Sequence, residues 1–292
     1  MAIHLGPNRY GKAETRVVRV TRDGARHTIT DLNVSVALTG DFTATHLTGD
    51  NTGLLTTDAQ KNTVYALARE HGIGTAEAFA LRLARHFTGH DAVSRARVTI
   101  ERHDWDRLGE HSFARRGQEV RTVTAVRDNG AEWLVCGLRD LVVANTTDSE
   151  FRGYAKDPYT TLPETRDRIL ATAVTARWRH AAVADGTDWD ASYDATRAAL
   201  LAAFTGTYSY SLQQTLYAMG RAALEERAEL AEVRLSLPNK HHVLVDLAPF
   251  GLDNPDEVYV ATDRPYGLIE GAVLRDGAPA AGPAWEESGI MP

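Results

Sequence analysis

Apolar and polar positions change rhythm along the chain in a definite order. From Thr15 to Arg22 they alternate weakly, and beyond the Asp23-Gly24 turn Leu32, Val34, Val36 and Leu38 recur with period two. This predicts a hairpin with one buried face. From Asp58 to Glu70 the period lengthens, with Val64, Leu67 and Ala68 at helical spacing, and Phe79, Leu83 and Phe87 repeat it between Thr75 and Phe87. Alternation returns as Ala96, Val98 and Ile100 against Arg95, Arg97, Thr99 and Glu101, then as a strand from Val120 to Val126 closed by the Asp128-Asn129-Gly130 turn. The order strand, strand, helix, helix, strand, strand then recurs. Strands are predicted at Trp133–Ala144 and Ile169–Trp178, helices at Trp189–Phe204 and Leu212–Glu229, and strands at Val233–Leu237 and His242–Leu247. The repeat lies in element order, without letter-by-letter identity. It predicts two modules, residues 1–128 and 129–292, each with a helix pair on one face of an antiparallel sheet, an α+β class. Open sheet edges favour pairing between copies. After Gly277 the Gly, Ala and Pro content predicts a loose tail.

Composition narrows the function classes. At 292 residues, 43 % hydrophobic and 24 % charged, the chain has ordinary globular usage, which excludes disordered, collagen-like and coiled-coil readings. Its 32 basic and 39 acidic residues leave a net charge of −7, so no global positive field gathers nucleic acid. The single Cys136 makes neither an intrachain disulfide nor a cysteine-ligated zinc site, which fits a reducing compartment. Apolar runs such as Ala198 to Phe204 fall far short of the ~18 residues of a membrane span. His4, Pro7, Asn8 and Arg9 interrupt the start where a signal peptide would be apolar, so the expected location is the cytosol.

Common signatures are missing. Gly72-Ile73-Gly74 has Glu77 where a dinucleotide fingerprint needs its third glycine, and it joins two helices where the fingerprint would follow a strand. His86 and His90 stand four apart, a metal-ligand spacing. Gly89 ends the helix between them, however, and a histidine at a helix C-terminus is favoured by the dipole alone. Thr57-Asp58-Ala59-Gln60 and Ser211-Leu212-Gln213-Gln214 both fit a capping box. Beyond capping, such helix starts offer unpaired N–H groups and a positive dipole end to an anion, one in each half of the chain.

Six segments carry a resemblance. They are Arg9-Tyr10-Gly11-Lys12; Thr57 to Thr63; Phe151-Arg152-Gly153-Tyr154 with Asp157; Tyr159 to Leu162 running through Asp167-Arg168; Ser211-Leu212-Gln213; and Ser236 to His241. In this order and spacing, over nearly the whole chain, they resemble the urate oxidase (uricase) family. The resemblance implies a tandem of tunnelling-fold (T-fold) modules assembling into a barrel-like tunnel, and a homotetramer with active sites between subunits. The implied activity is cofactor-independent oxidation of urate by O₂, with no metal. Lys12 and Thr57 would form a proton-relay dyad with His241 nearby, Phe151 would stack on the purine, and Arg168 and Gln213 would grip its edges. Asn239 would face the oxygen site, Asp58 would bind the substrate as well, and Leu212 would bind through its backbone N–H. Leu212 stands where the family often has Val, which matters little if the backbone binds. Arg152 replaces an aromatic found in some relatives.

The residue chemistry is compatible with these roles. A guanidinium fork matches two adjacent acceptors of urate, and a glutamine both donates and accepts. Each residue also has a plain alternative: Arg168 as a surface partner of Asp167, Phe151 as core, Asn239 as a turn residue, His241 as an exposed strand residue and Lys12 as a solvated charge. Two rival functions stand beside the first. A tunnelling-fold enzyme acting on a pterin or guanine nucleotide would use a glutamate anchor and histidine-bound zinc, and only His86/His90 speak for it. A non-catalytic purine-binding protein would need Arg168, Gln213 and Phe151 but not Lys12, Thr57 and His241.

Overall fold

The computed structural model describes residues 3–184, 186–262 and 264–286. In chain order the elements are β1 (Tyr10–Asp23), β2 (Arg26–Gly40), α1 (Thr43–Leu47), α2 (Thr57–Glu70), α3 (Ala76–Phe87), β3 (Val93–His103), β4 (Trp105–Arg107), β5 (Phe113–Arg115) and β6 (Val120–Asp128). There follow β7 (Ala131–Asn145), β8 (Leu170–His180), α4 (Trp189–Gly206), α5 (Leu212–Glu226), β9 (Leu230–Lys240), β10 (His242–Leu244), β11 (Tyr259–Ala261) and β12 (Gly267–Leu274). Eight strands hydrogen-bond in the order β1-β2-β3-β6-β7-β8-β9-β12. The β1/β2, β2/β3, β3/β6 and β9/β12 pairs are antiparallel. The chain divides into two compact units, residues 1–137 with 178–193 and 277–292, and residues 138–177 with 194–276.

In the first unit the register explains the layers. Val36 faces Val98, which faces Ala125, and Val34, Ile100 and Val123 form the adjacent row. All six are at most 4 % exposed. Burying each larger side chain is worth about 1.5–3 kcal/mol, enough to fix which face turns inward. Packed on the sheet are α2, against β1, and α3, against β3 and β6. The alternate row, Ala37 beside Arg97 beside Val126, lines the other face. That face carries a cavity of about 610 Å³ bounded also by Asn8, Arg9, Arg95 and Glu286.

The expected loose tail is corrected here for residues 277–286. The Arg97 guanidinium donates to the carbonyls of Pro283 and Ala284, Arg95 pairs with Glu286 at 2.8 Å, and Arg179 donates to the Pro279 carbonyl. Gly282 lies so close to the Trp133 ring that a Cβ would come within 2.8 Å of it. Arginine donors anchor a segment whose regular structure is one short 3₁₀ turn, Gly282–Trp285. Residues 287–292 of the tail lie outside the described residues.

In the second unit α5 packs on β9 and β12. The contact is close because Gly220 meets Val273 and Gly271 meets Leu216, where added methyl groups would lie 2.6 and 2.9 Å from those side chains. Here too an expectation is corrected. The partner of β9 is β12, not the segment from His242 to Leu247; His242–Leu244 pairs with Tyr259–Ala261 in a separate two-stranded ladder. The Gly residues that let α5 approach also break the alternation of β12, which hid it in the sequence.

Candidate active site

The sequence-derived residues fall into two groups, one in each unit. In the first, the Gly11 backbone presses against β2, where a Cβ would lie 1.8 Å from the Val36 carbonyl oxygen, so only glycine fits between Tyr10 and Lys12. Lys12 pairs with Val36 and is followed by a register shift before Thr15. The residue is half-buried, and its side chain makes no ion pair or hydrogen bond with the described residues. Tyr10, two positions earlier on the same strand face, donates its hydroxyl proton to the Leu55 carbonyl at 2.9 Å and sets its ring edge-on to Phe42, centroids 4.7 Å apart.

That carbonyl leads into α2, and here the capping assignment is corrected. The N-cap is Thr56, whose backbone is extended (φ −60°, ψ 148°) and whose Oγ1 accepts from the Ala59 N–H at 3.0 Å. Thr57 is the first helical residue. Its hydroxyl is exposed and makes no hydrogen bond among the described residues, so capping no longer accounts for it. Gln60 turns its Nε2 to the Leu55 carbonyl at 3.3 Å and leaves its Oε1 buried without a partner. Asp58 is held below the usual carboxylate range by its hydrogen bond and ion pair with Lys61, by its bond from Asn62, and by the charge of Lys12.

The second group is knitted by short backbone bridges. Phe151 exchanges two hydrogen bonds with Thr165, at 3.0 and 3.1 Å. Ser149 bridges Ser209, and Glu150 N–H donates to the Ser209 carbonyl at 2.9 Å. Ser209 leads into Ser211, the N-cap of α5, whose Oγ accepts from Gln214 N–H at 3.2 Å. The Gln214 carboxamide oxygen accepts from Tyr210 N–H, one residue beyond where a capping box would place it. Phe151, Arg168 and the start of α5, with Leu212 buried and Gln213 exposed, therefore come together.

Arg168 is the most telling of these. It is half-buried, its Cζ lies 5.2 Å from the Phe151 ring centroid, and its Nε donates to Ser149 Oγ at 3.3 Å. Asp167, the expected surface partner, instead accepts from Thr147, and no carboxylate among the described residues pairs with Arg168. Burial alone pushes its pKa down. Phe151 stacks on Tyr154 with centroids 5.0 Å apart and planes at 16°. Asn239 stands half-buried opposite Gly267 at the end of β9, and the exposed His241 follows between β9 and β10. The sequence reading missed Ser149, Ser209 and Tyr154 as supports. Only Tyr154 carried a signal, as part of a matched segment.

The remaining candidates stay apart. His86 and His90 have ring centroids 5.8 Å apart, and burial with the neighbouring His90 pushes the His86 pKa down. Among the described residues no three His, Cys, Asp or Glu side chains gather as a metal site would. Among them, too, no helix is long and apolar enough to cross a membrane.

Comparison with known proteins adds the family. The Uricase family model matches residues 8–126 and 134–270. The chain is 52 % identical over 284 residues to a uricase of Arthrobacter globiformis, covering 96 % of this chain and 93 % of that one. To a uricase of Danio rerio it is 36 % identical over 279 residues, with 91 % and 93 % covered. A crystal structure of the Arthrobacter globiformis uricase superposes with a TM-score of 0.94 at 51 % identity, covering 98 % of this chain and all of that one.

Proposed function

From the premise that the chain belongs to the uricase family and is a urate-oxidising enzyme, we propose that it converts urate, O₂ and water to 5-hydroxyisourate and hydrogen peroxide through a Lys12–Thr57 relay. The observation that carries the binding half is Arg168, a half-buried cation beside an aromatic face with no carboxylate partner among the described residues. A buried charge without a counter-charge is costly, and a planar anion lying along Phe151 supplies both the missing charge and two acceptors for the guanidinium. Gln213 reads the opposite edge, with the N–H groups of Asp58 and Leu212 at the two helix starts.

Chemistry follows from proton removal. Lys12, acting in its neutral amine form after releasing its own proton to solvent, accepts a proton through the Thr57 hydroxyl, which no capping duty occupies, and His241 shares the relay. The resulting urate dianion is electron-rich and passes one electron to O₂ held beside Asn239. The two radicals combine to a hydroperoxide at C5, peroxide leaves, and water adds at C5. The electrons come from urate itself, so neither metal nor flavin enters a step. The relay and binding groups are proposed to meet between subunits of a homotetramer in the cytosol. The test is anaerobic urate binding to the protein and to Arg168→Ala: weakened binding supports the reading, and unchanged affinity in a folded variant removes Arg168 from the site.

A further inference from the structure

Outside the proposed dyad, one arrangement of buried polar groups in the first unit has no role in binding or proton transfer. Tyr10 and Gln60 converge on a single carbonyl, that of Leu55, at 2.9 and 3.3 Å. Gln60 is fully buried, and the Tyr10 ring is seated edge-on against Phe42, itself 2 % exposed. Leu55 needs neither bond for helix capping, because Thr56 does that work through Ala59 N–H. What the two bonds fix is the chain immediately before Thr57. One of them comes from the strand that carries Lys12, two residues along on the same face.

We infer that Tyr10 is a positioning residue: its hydroxyl ties β1 to the start of α2 and thereby sets Thr57 against Lys12. This rests on the relay proposed above. Gly11 makes the tie rigid, since the strand between Tyr10 and Lys12 lies against the Val36 carbonyl with no room for a side chain. Burial raises the pKa of the Tyr10 hydroxyl, so it remains a donor across the working pH range. Relay geometry matters because a misplacement of ~1 Å costs on the order of 10²-fold in rate.

The experiment is steady-state urate oxidation by the unsubstituted protein, Tyr10→Phe, Lys12→Met and the double variant, with binding of xanthine as a non-reacting purine. Tyr10→Phe keeps the ring against Phe42 and removes only the hydroxyl. The expected result is a fall in kcat of roughly tenfold, with KM and xanthine affinity changed by less than about twofold. In the Lys12→Met background the same substitution should change the residual rate little, because the hydroxyl acts through the dyad. An unchanged kcat in folded Tyr10→Phe overturns the inference, as does an equal loss in the Lys12→Met background or a parallel loss of xanthine affinity. Should Tyr10→Phe fail to fold, Gln60→Met removes the other donor to Leu55 and is held to the same outcomes. An unsubstituted protein that fails to oxidise urate defeats the functional reading itself, whereas an active one with an indifferent Tyr10→Phe defeats only the positioning role.

Discussion

In the proposed function, Arg168 and the Lys12–Thr57 pair separate binding from chemistry at the level of single residues. Arg168→Ala deletes a charged donor from a half-buried site, and a hydrogen bond to a charged group is typically worth ~1.5–3 kcal/mol, so urate affinity should weaken by roughly one to two decades. Equilibrium titration under anaerobic conditions reads this directly. Lys12→Met and Thr57→Ala should each lower turnover by ~10²–10⁴-fold while urate affinity changes less. The double variant should lose little beyond either single one, since groups acting as a unit are strongly non-additive. Independent, multiplicative losses would break the dyad and leave the binding assignment standing. Which residues were legible follows from their chemistry. Lys12, Thr57, Phe151 and Arg168 stand out as candidates through the matched segments, while Ser149 and Ser209 are loop serines whose contacts exist only once Phe151 and the start of α5 are bridged through them.

At the scale of elements, the start of α2 offers the sharpest contrast. Both Thr56 and Thr57 satisfy the cap pattern in the sequence, and Thr57 fits the capping box better because Gln60 stands three residues on. The extended backbone at Thr56 decides otherwise, and Gln60 spends its amide on Leu55. Thr56→Ala should therefore cost about 1 kcal/mol of stability with turnover largely kept, whereas Thr57→Ala should leave denaturant stability nearly unchanged and abolish most turnover. Chemical denaturation and urate oxidation measured side by side on the two variants check this; a stability loss confined to Thr57→Ala would restore the capping assignment. Elements with one buried face were readable. The rows Leu32, Val34, Val36, Leu38 and Ala96, Val98, Ile100 are buried, and the residues alternating with them are less so apart from Arg97. β12 was not readable, because Gly267 and Gly271 interrupt it and its match to β9 depends on how closely α5 packs.

For the whole molecule, element order does not reveal that residues 277–286 return to the first unit under Arg95, Arg97 and Trp133. That return depends on donors some 190 positions away in sequence, which no local composition reveals. Each unit holds one of the two groups of candidate residues, Lys12 and Thr57 in the first and Phe151 and Arg168 in the second. The claim on which the account turns is that these protein groups and the substrate suffice for the oxidation. It is tested most directly by following urate absorbance and peroxide together in protein stripped of metals by exhaustive chelation. Urate is expected to disappear at the rate of untreated protein, with one peroxide formed for each urate consumed. A loss of activity on stripping that returns when a metal is added back would contradict it.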